Sequence, residues 1–317
     1  MSRFKCALAL SGGSARGLAH LGVIEEVERR NLKFDLIVGT SMGAVIGGLY
    51  ACLGNLAGIV ESFKNLFESR LFLKASSIAR DEGTPFAGPE GYFNRFIWLF
   101  RQGVFYTRTM LQLDLVGEAL SEGLVSMLIP DVAIEELPVR FAALAMDLRT
   151  GEEVVLTRGS LRRAIAASMA IPGIFPPVKV GRRVLVDGGW VDNVPVAPAV
   201  ALGAHFVLAV DATLEIPSMT GGPGSAMETL FRCNEITRIL LTRHRKRAAD
   251  VMIVPELGDM LWADFGSMDQ CMAAGRKAFQ ENVSTIERKM RIRRLRTLQG
   301  MIHPGRNGRW NHPMVIE

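Results

Sequence analysis

The chain has 317 residues, 49% hydrophobic and 22% charged, the balance of a well-packed globular protein long enough to bury most of its unfolded surface without disulfides. Its four cysteines (Cys6, Cys52, Cys233, Cys271) are scattered. No C-x-x-C and no zinc-spaced Cys/His set occurs, which excludes a cysteine-ligated zinc site and fits buried thiols in a reducing compartment. The net charge of +5 and the isoelectric point near 9.2 suit anionic lipid surfaces, nucleic acid or acidic substrates and do not choose among them.

The first thirteen residues begin like a signal peptide, but the apolar run is short and glycines follow at once, so residues 4–10 are expected to form a strand. The loop Ser11-Gly12-Gly13-Ser14-Ala15-Arg16-Gly17 comes next, then helical periodicity over 18–30, with Leu18, Leu21, Val23, Ile24 and Val27 apolar. A strand is expected over 34–38, a turn over 39–43, then a helix of small residues. Residues 36–60 carry no charge and contain Gly43-x-x-x-Gly47, a length and pattern also found in membrane helices. The glycines at 39, 43, 47, 48 and 54 break that run into buried strand, turn and buried helix. No signal peptide or membrane-spanning helix is expected, and the expected location is cytoplasmic.

Strand, glycine loop, helix, strand, turn, helix implies a parallel sheet with helices on its faces. The expected fold is a three-layer α/β/α sandwich with a mainly parallel sheet, one domain over 1–299. Residues 69–131 are set apart as a helical insert. Within it, 80–91 read as a loop, and 92–106 concentrate Tyr92, Phe93, Phe96, Trp98, Phe100, Phe105 and Tyr106. That segment is either a helix of the core or a cap or lipid-touching surface over an apolar cleft.

Hairpins are expected over 139–156, around Arg149-Thr150-Gly151, and over 178–186, turning at Gly181. A helix is expected over 160–169 with Ser160 as its N-cap, and strands over 205–210 and 251–254. Residues 221–225 read as a flexible loop. A closing helix ends in the basic run 288–296, and residues 300–317 are read as irregular.

Three elements carry chemistry. Gly39-Thr40-Ser41-Met42-Gly43 is G-x-S-x-G. A serine on a sharp strand-to-helix turn has its hydroxyl pushed clear of the backbone, near the positive end of the helix that follows. The pattern is short enough to arise by chance in roughly one such chain in five, so a plain glycine turn is the competing reading. The loop 11–17 can converge backbone N–H groups on an anion, either a phosphate or the oxyanion of an acyl intermediate. The nucleotide version fits poorly: Arg16-Gly17-Leu18 stands where a phosphate-binding Lys-Ser would be required. Val186-Asp187-Gly188-Gly189 puts a carboxylate at a strand end, as a proton acceptor or as the cap of a turn.

As a set these residues resemble the patatin-like phospholipase family. The resemblance begins at residues 8–23, continues through the serine motif, and resumes at Ala167-Ser168-Met169-Ala170-Ile171-Pro172-Gly173-Ile174-Phe175-Pro176-Pro177, at Val186-Asp187-Gly188-Gly189 and at Asp192-Asn193-Val194-Pro195-Val196. The bacterial members similar to neuropathy target esterase are the most alike. The resemblance implies a serine esterase or lipid acyl hydrolase acting on fatty-acyl esters of (lyso)phospholipids, with no cofactor and no metal. Ser41 is the implied nucleophile and Asp187 its base. Backbone N–H groups of Gly13 and Ser14, helped by Gly12, form the implied oxyanion hole, and Arg16 orients that loop or meets an anionic head group. The family loop usually reads G-G-G-x-R-G, and here Ser14 takes the third position. A positive φ there would strain a serine.

None of the five histidines follows a strand with turn glycines, as a triad member would. His20 is expected to pack in the core or support the loop, His205 to be structural and His244 to lie on a solvated face, with His303 and His312 in the tail. A non-catalytic acyl-lipid-binding module on the same scaffold is the alternative function. Nucleic-acid binding is disfavoured, because the basic runs 243–247 and 288–296 interleave no aromatics. Peripheral contact with anionic membrane suits them better.

Overall fold

The computed structural model describes residues 4–80, 116–213, 226–260, 264–299 and 314–317. Strand β1 (Cys6–Leu10) is fully buried and leads through a 3₁₀ turn, Ser14–Leu18, into α1 (Ala19–Arg29). Strand β2 (Leu36–Thr40) leads into α2 (Met42–Leu53). The expected turn over 39–43 is therefore tighter than the sequence indicated: Gly39 and Thr40 still belong to the strand, and Ser41 alone makes the turn. Helices α3 (Leu56–Glu68), α4 (Arg70–Arg80) and α5 (Glu118–Leu128) follow. Helix α3 precedes the 69–131 insert, and α4 and α5 are the described helices within it. The loop read over 80–91 lies outside the described residues apart from Arg80, and the aromatic run 92–106 and the 221–225 loop lie wholly outside them.

Strand β3 (Arg140–Asp147) and β4 (Glu153–Leu156) form the first expected hairpin. Helix α6 (Leu161–Ser168) starts as expected at Ser160, whose hydroxyl accepts from the Arg163 amide at 3.3 Å. Strands β5 (Val178–Val180) and β6 (Arg183–Asp187) form the second hairpin, with Gly181 at φ 55. The remainder is α7 (Val196–Ala201), β7 (Phe206–Val210), α8 (Ala226–Arg245), β8 (Val251–Ile253), α9 (Met268–Leu298) and β9 (Met314–Ile316).

The sheet is mixed and mostly parallel. Strands β3, β2, β1, β7 and β8 run parallel in that order; β6 pairs antiparallel with the last residues of β3, past the end of β2, and β5 pairs antiparallel with β6. Alternation along β1 divides the core: Leu8 and Leu10 face a large cluster with α1, α2, α3, α6 and α9, while Ala7 and Ala9 face a smaller one with α7. The third layer of the expected sandwich is present but thin.

The last residues correct the expectation of an irregular tail. Met314-Val315-Ile316 pairs in parallel with β4, Glu153 opposite Met314. An apolar, partly β-branched triplet suits a sheet edge, and its partner, the free side of β4, is distant in sequence. The thiols also depart in part from expectation: Cys6 and Cys271 are buried, but Cys233 is exposed. Among the described residues no helix is long and apolar enough to cross a membrane. The uncharged 36–60 stretch is instead β2, α2 and the start of α3.

Helices α1 and α9 touch backbone to backbone. A Cβ on Gly275 would fall 2.0 Å from the Ala19 carbonyl oxygen, and one on Gly22 would fall 1.9 Å from that of Met272. Neither contact can relax by moving a side chain, so the helices would have to separate. Gly275→Ala is expected to destabilise the fold by about 1–3 kcal/mol, read as a lower midpoint in urea unfolding with unchanged m-value.

Candidate active site

Two strands meet end to end along one side of β3. On its other side β3 pairs with β4 through residues 143–146. Strand β2 runs up the free side until Thr40 lies opposite Leu144. Strand β6 comes from the opposite direction until Asp187 lies opposite Ala145. Neighbouring residues of one strand thus hold the ends of both, and Ser41, one residue past Thr40, is brought to Asp187.

The turn at Ser41 is strained. Its φ of 53° and ψ of −122° lie where a residue with a Cβ is rarely found. Several contacts hold it there. The Ser41 amide donates to Ser168 Oγ at 2.9 Å, and Ser168 Oγ donates to the Leu144 carbonyl at 2.6 Å. The Thr40 hydroxyl donates to the Asp192 carbonyl at 3.0 Å. Close packing explains the second motif glycine: a Cβ at Gly43 would lie 2.2 Å from the Leu10 carbonyl oxygen, so only glycine lets α2 start over the end of β1.

Asp187 is 5% exposed. Burial raises its pKa to about 6, against the lowering effects of the Gly189 amide, the Ser41 hydroxyl and the charge of Arg238. The Gly189 amide donates to Asp187 Oδ1 at 2.7 Å, so the carboxylate both caps its own turn and faces the serine. The two readings of that residue are compatible, since a carboxylate has lone pairs for both. The Ser41 hydroxyl lies close enough to the carboxyl to favour its ionised form. Gly188 crosses directly over β3, where a Cβ would meet the Leu144 carbonyl oxygen at 2.5 Å.

The 11–17 loop passes beside Ser41, and its three amides differ. The Gly12 amide donates to the Asn193 carbonyl at 3.1 Å. It is therefore engaged in structure, against the expectation that it helps receive an anion. Gly13 and Ser14 donate to no group among the described residues. Ser14 has φ 51, so the strain foreseen at that position is real. Arg16 is buried and directs its guanidinium to the carbonyls of Ala212, Gly258 and Met260 at 3.3, 2.9 and 3.1 Å. It ties the loop to two distant segments, the first of the two roles read from the sequence; the head-group role does not fit a side chain so enclosed.

His20 supports the same loop. Its Nε2 donates to the Ser11 carbonyl at 2.8 Å, and burial lowers its pKa to about 4, so the ring is neutral. His205 accepts from the Lys5 amide through Nδ1 at 3.1 Å.

A cavity of about 810 Å³ opens at Ser41 and Ser14 and runs away from them. Its described lining is apolar except at the mouth and at Asp264, with Met42, Phe63, Phe67, Leu128, Ile165 and Phe265 among its walls. Among the described residues no cluster of His, Cys, Asp and Glu could hold a metal ion.

Ser168 and Asn193 were quoted in the sequence motifs without a role. Asn193 receives the Gly12 amide on its carbonyl and donates through Nδ2 to Thr213 Oγ1 at 2.8 Å. In the basic run 243–247, Arg243, His244 and Arg247 are exposed, as expected of a solvated face, but Arg245 is not. Arg245 is buried, paired with Glu153 and 3.5 Å from Asp192, and donates to the Val191 carbonyl at 2.8 Å. The second basic run ends α9, where Arg293 pairs with Asp250 at 2.5 Å. Asp250 precedes β8, so this run lies at the edge of the parallel strands opposite Ser41.

The chain is thus an α/β protein with a strained serine turn and a buried aspartate facing it. Residues 8–200 match the family model for patatin-like phospholipases, and the chain belongs to that family. An uncharacterized NTE family protein of Mycobacterium bovis is 35% identical over 208 residues, 65% of this chain and 48% of that protein. A protein named lysophospholipase NTE1 from Mycosarcoma maydis is 33% identical over 204 residues, 64% of this chain and 9% of that one. The match therefore spans about half or less of these relatives. Among solved structures, VipD from Legionella pneumophila aligns with a TM-score of 0.45 and 13% identity, over 91% of this chain and 67% of that one.

Replacing Ser14 by glycine should remove the left-handed strain while keeping the amide. Ser14→Gly is expected to stabilise the protein by about 1 kcal/mol, seen as a higher thermal midpoint.

Proposed function

We propose that this protein is a serine-dependent lipid acyl hydrolase that cleaves fatty-acyl esters of (lyso)phospholipids through a Ser41–Asp187 dyad and an acyl-enzyme. The observation that carries the reading is the pairing of Ser41 with a buried carboxylate of raised pKa at the mouth of an apolar cavity.

Each residue then has a step. Asp187 accepts the Ser41 proton as the serine oxygen attacks the ester carbonyl. An ordinary carboxylate is a weak base for an alcohol; burial raises its basicity. The free amides of Gly13 and Ser14 receive the oxyanion, held in place by Arg16 and His20 through the loop. Asp187 returns the proton to the departing alcohol, and water repeats the sequence to free the fatty acid. The cavity takes the acyl chain, each buried methylene contributing about 0.8 kcal/mol. The lysophospholipase name of the Mycosarcoma maydis relative supports a lysolipid among the substrates.

Ser41→Ala and Asp187→Asn are each expected to lower kcat/KM on a p-nitrophenyl acyl ester by about a thousandfold or more, with far-UV circular dichroism unchanged. Near wild-type turnover in either variant would defeat the dyad. The base must be ionised to act, so kcat/KM should climb about tenfold per pH unit below Asp187's pKa and level off above about 6. A profile flat between pH 4 and 8 would remove Asp187 from that role.

A further inference from the structure

The last turn of helix α8 is fastened to Glu153 and to the segment that follows Asp187. Arg245 donates to the Val191 carbonyl and pairs with Glu153, with Asp192 at 3.5 Å, while Lys246, just beyond, pairs with Asp211 at 2.5 Å. Ile239 and Thr242 are buried on the same side. Arg238 lies seven residues before Arg245, two turns earlier on the same face and about 10 Å along the axis. Its side chain is half-buried, and its charge acts on the Asp187 carboxyl without an ion-pair contact.

The other inward-turned cations of this helix are engaged: Arg232 with Glu235 at 3.3 Å, and Arg245 as above. Arg238 alone among them has no hydrogen-bond or ion-pair partner among the described residues. A half-buried guanidinium without a partner is unfavourable for folding, and its planar fork matches phosphate oxygens.

The chemistry decides which part of a substrate meets it. The departing alcohol takes its proton from Asp187, so it must sit on the Asp187 side of Ser41. The acyl cavity runs the other way, between α2, α3, α4, α5 and α6, and no described residue of α8 lines it. In a monoacyl glycerophospholipid the departing alcohol carries its phosphate a few bonds beyond the ester oxygen. Resting on the acyl-hydrolase reading above, we propose that Arg238 binds the head-group phosphate of the substrate and so selects phosphate-bearing acyl esters over neutral ones.

The test compares wild type, Arg238→Ala and Arg238→Lys at pH 8 and fixed ionic strength. The substrates are a lysophosphatidylcholine and a monoacylglycerol with the same acyl chain. For Arg238→Ala, kcat/KM on the phospholipid should fall about 10–100-fold, mainly through KM. The monoacylglycerol should change by less than about twofold, and lysine should recover part of the loss, because it restores the charge without the fork. Equal losses on both esters, with the pH profile moved upward, would mean that Arg238 acts only through Asp187 and would overturn the inference. No loss on the phospholipid would overturn it as well. If wild type cleaves the monoacylglycerol in a Ser41-dependent way while Arg238→Ala shows no phosphate-selective loss, only this inference falls. If wild type cleaves neither ester, the acyl-hydrolase reading falls and takes this one with it.

Discussion

The head-on meeting of β2 and β6 along β3 is the constraint from which the rest of the site follows. Residues far apart in the chain are held by registers one residue apart, Thr40 opposite Leu144 and Asp187 opposite Ala145. A strand register is stiff: slipping by one residue would turn every buried side chain to the wrong face. The pairing of serine and carboxylate therefore depends on the sheet and not on the flanking helices. The local contacts serve that meeting point. Ser168 links the Ser41 amide to the Leu144 carbonyl, and Gly188 lets the loop after Asp187 cross the same carbonyl.

The same burial that makes the Asp187 carboxyl hold its proton more tightly makes its ionised form a liability for folding. Its folded pKa, about 6, lies above the ordinary carboxylate value of 3.8. The folded state therefore favours the protonated form. That contribution to stability is fully present below the unfolded pKa and is lost as pH rises through the folded one. Above that pKa the fold carries an under-solvated carboxylate. His20 shows the same physics with opposite sign: burial keeps it neutral, so it serves as a fixed donor to the loop and not as a proton carrier.

Much of this was legible in the sequence because the signals are local. The serine turn, the Gly181 and 149–151 hairpins, the Ser160 cap and the strain at Ser14 each depend on a few adjacent residues and their allowed φ and ψ. What escaped depends on partners distant in the chain. Nothing near Gly12 says that the Asn193 carbonyl takes its amide. Nothing near Arg16 names Gly258 and Met260 as its acceptors. Arg245 sits in a run that reads as a solvated face, because Glu153 and Asp192 approach it only in the folded chain. Ser168 and Asn193 lay in motifs already singled out, but a motif names residues without saying which atoms they bond.

Strand β9 has a consequence for handling the protein. It lies along the outer side of β4, and Glu317 adds an ion pair with Arg183 and accepts the Thr157 hydroxyl on its carbonyl. Clipping off residues 314–317 would bare a row of unpaired amides and carbonyls on β4, a template for sticking to other chains. Samples shortened there by a protease should clump while Ser41 and Asp187, at the ends of β2 and β6 two strands further in, are still correctly placed.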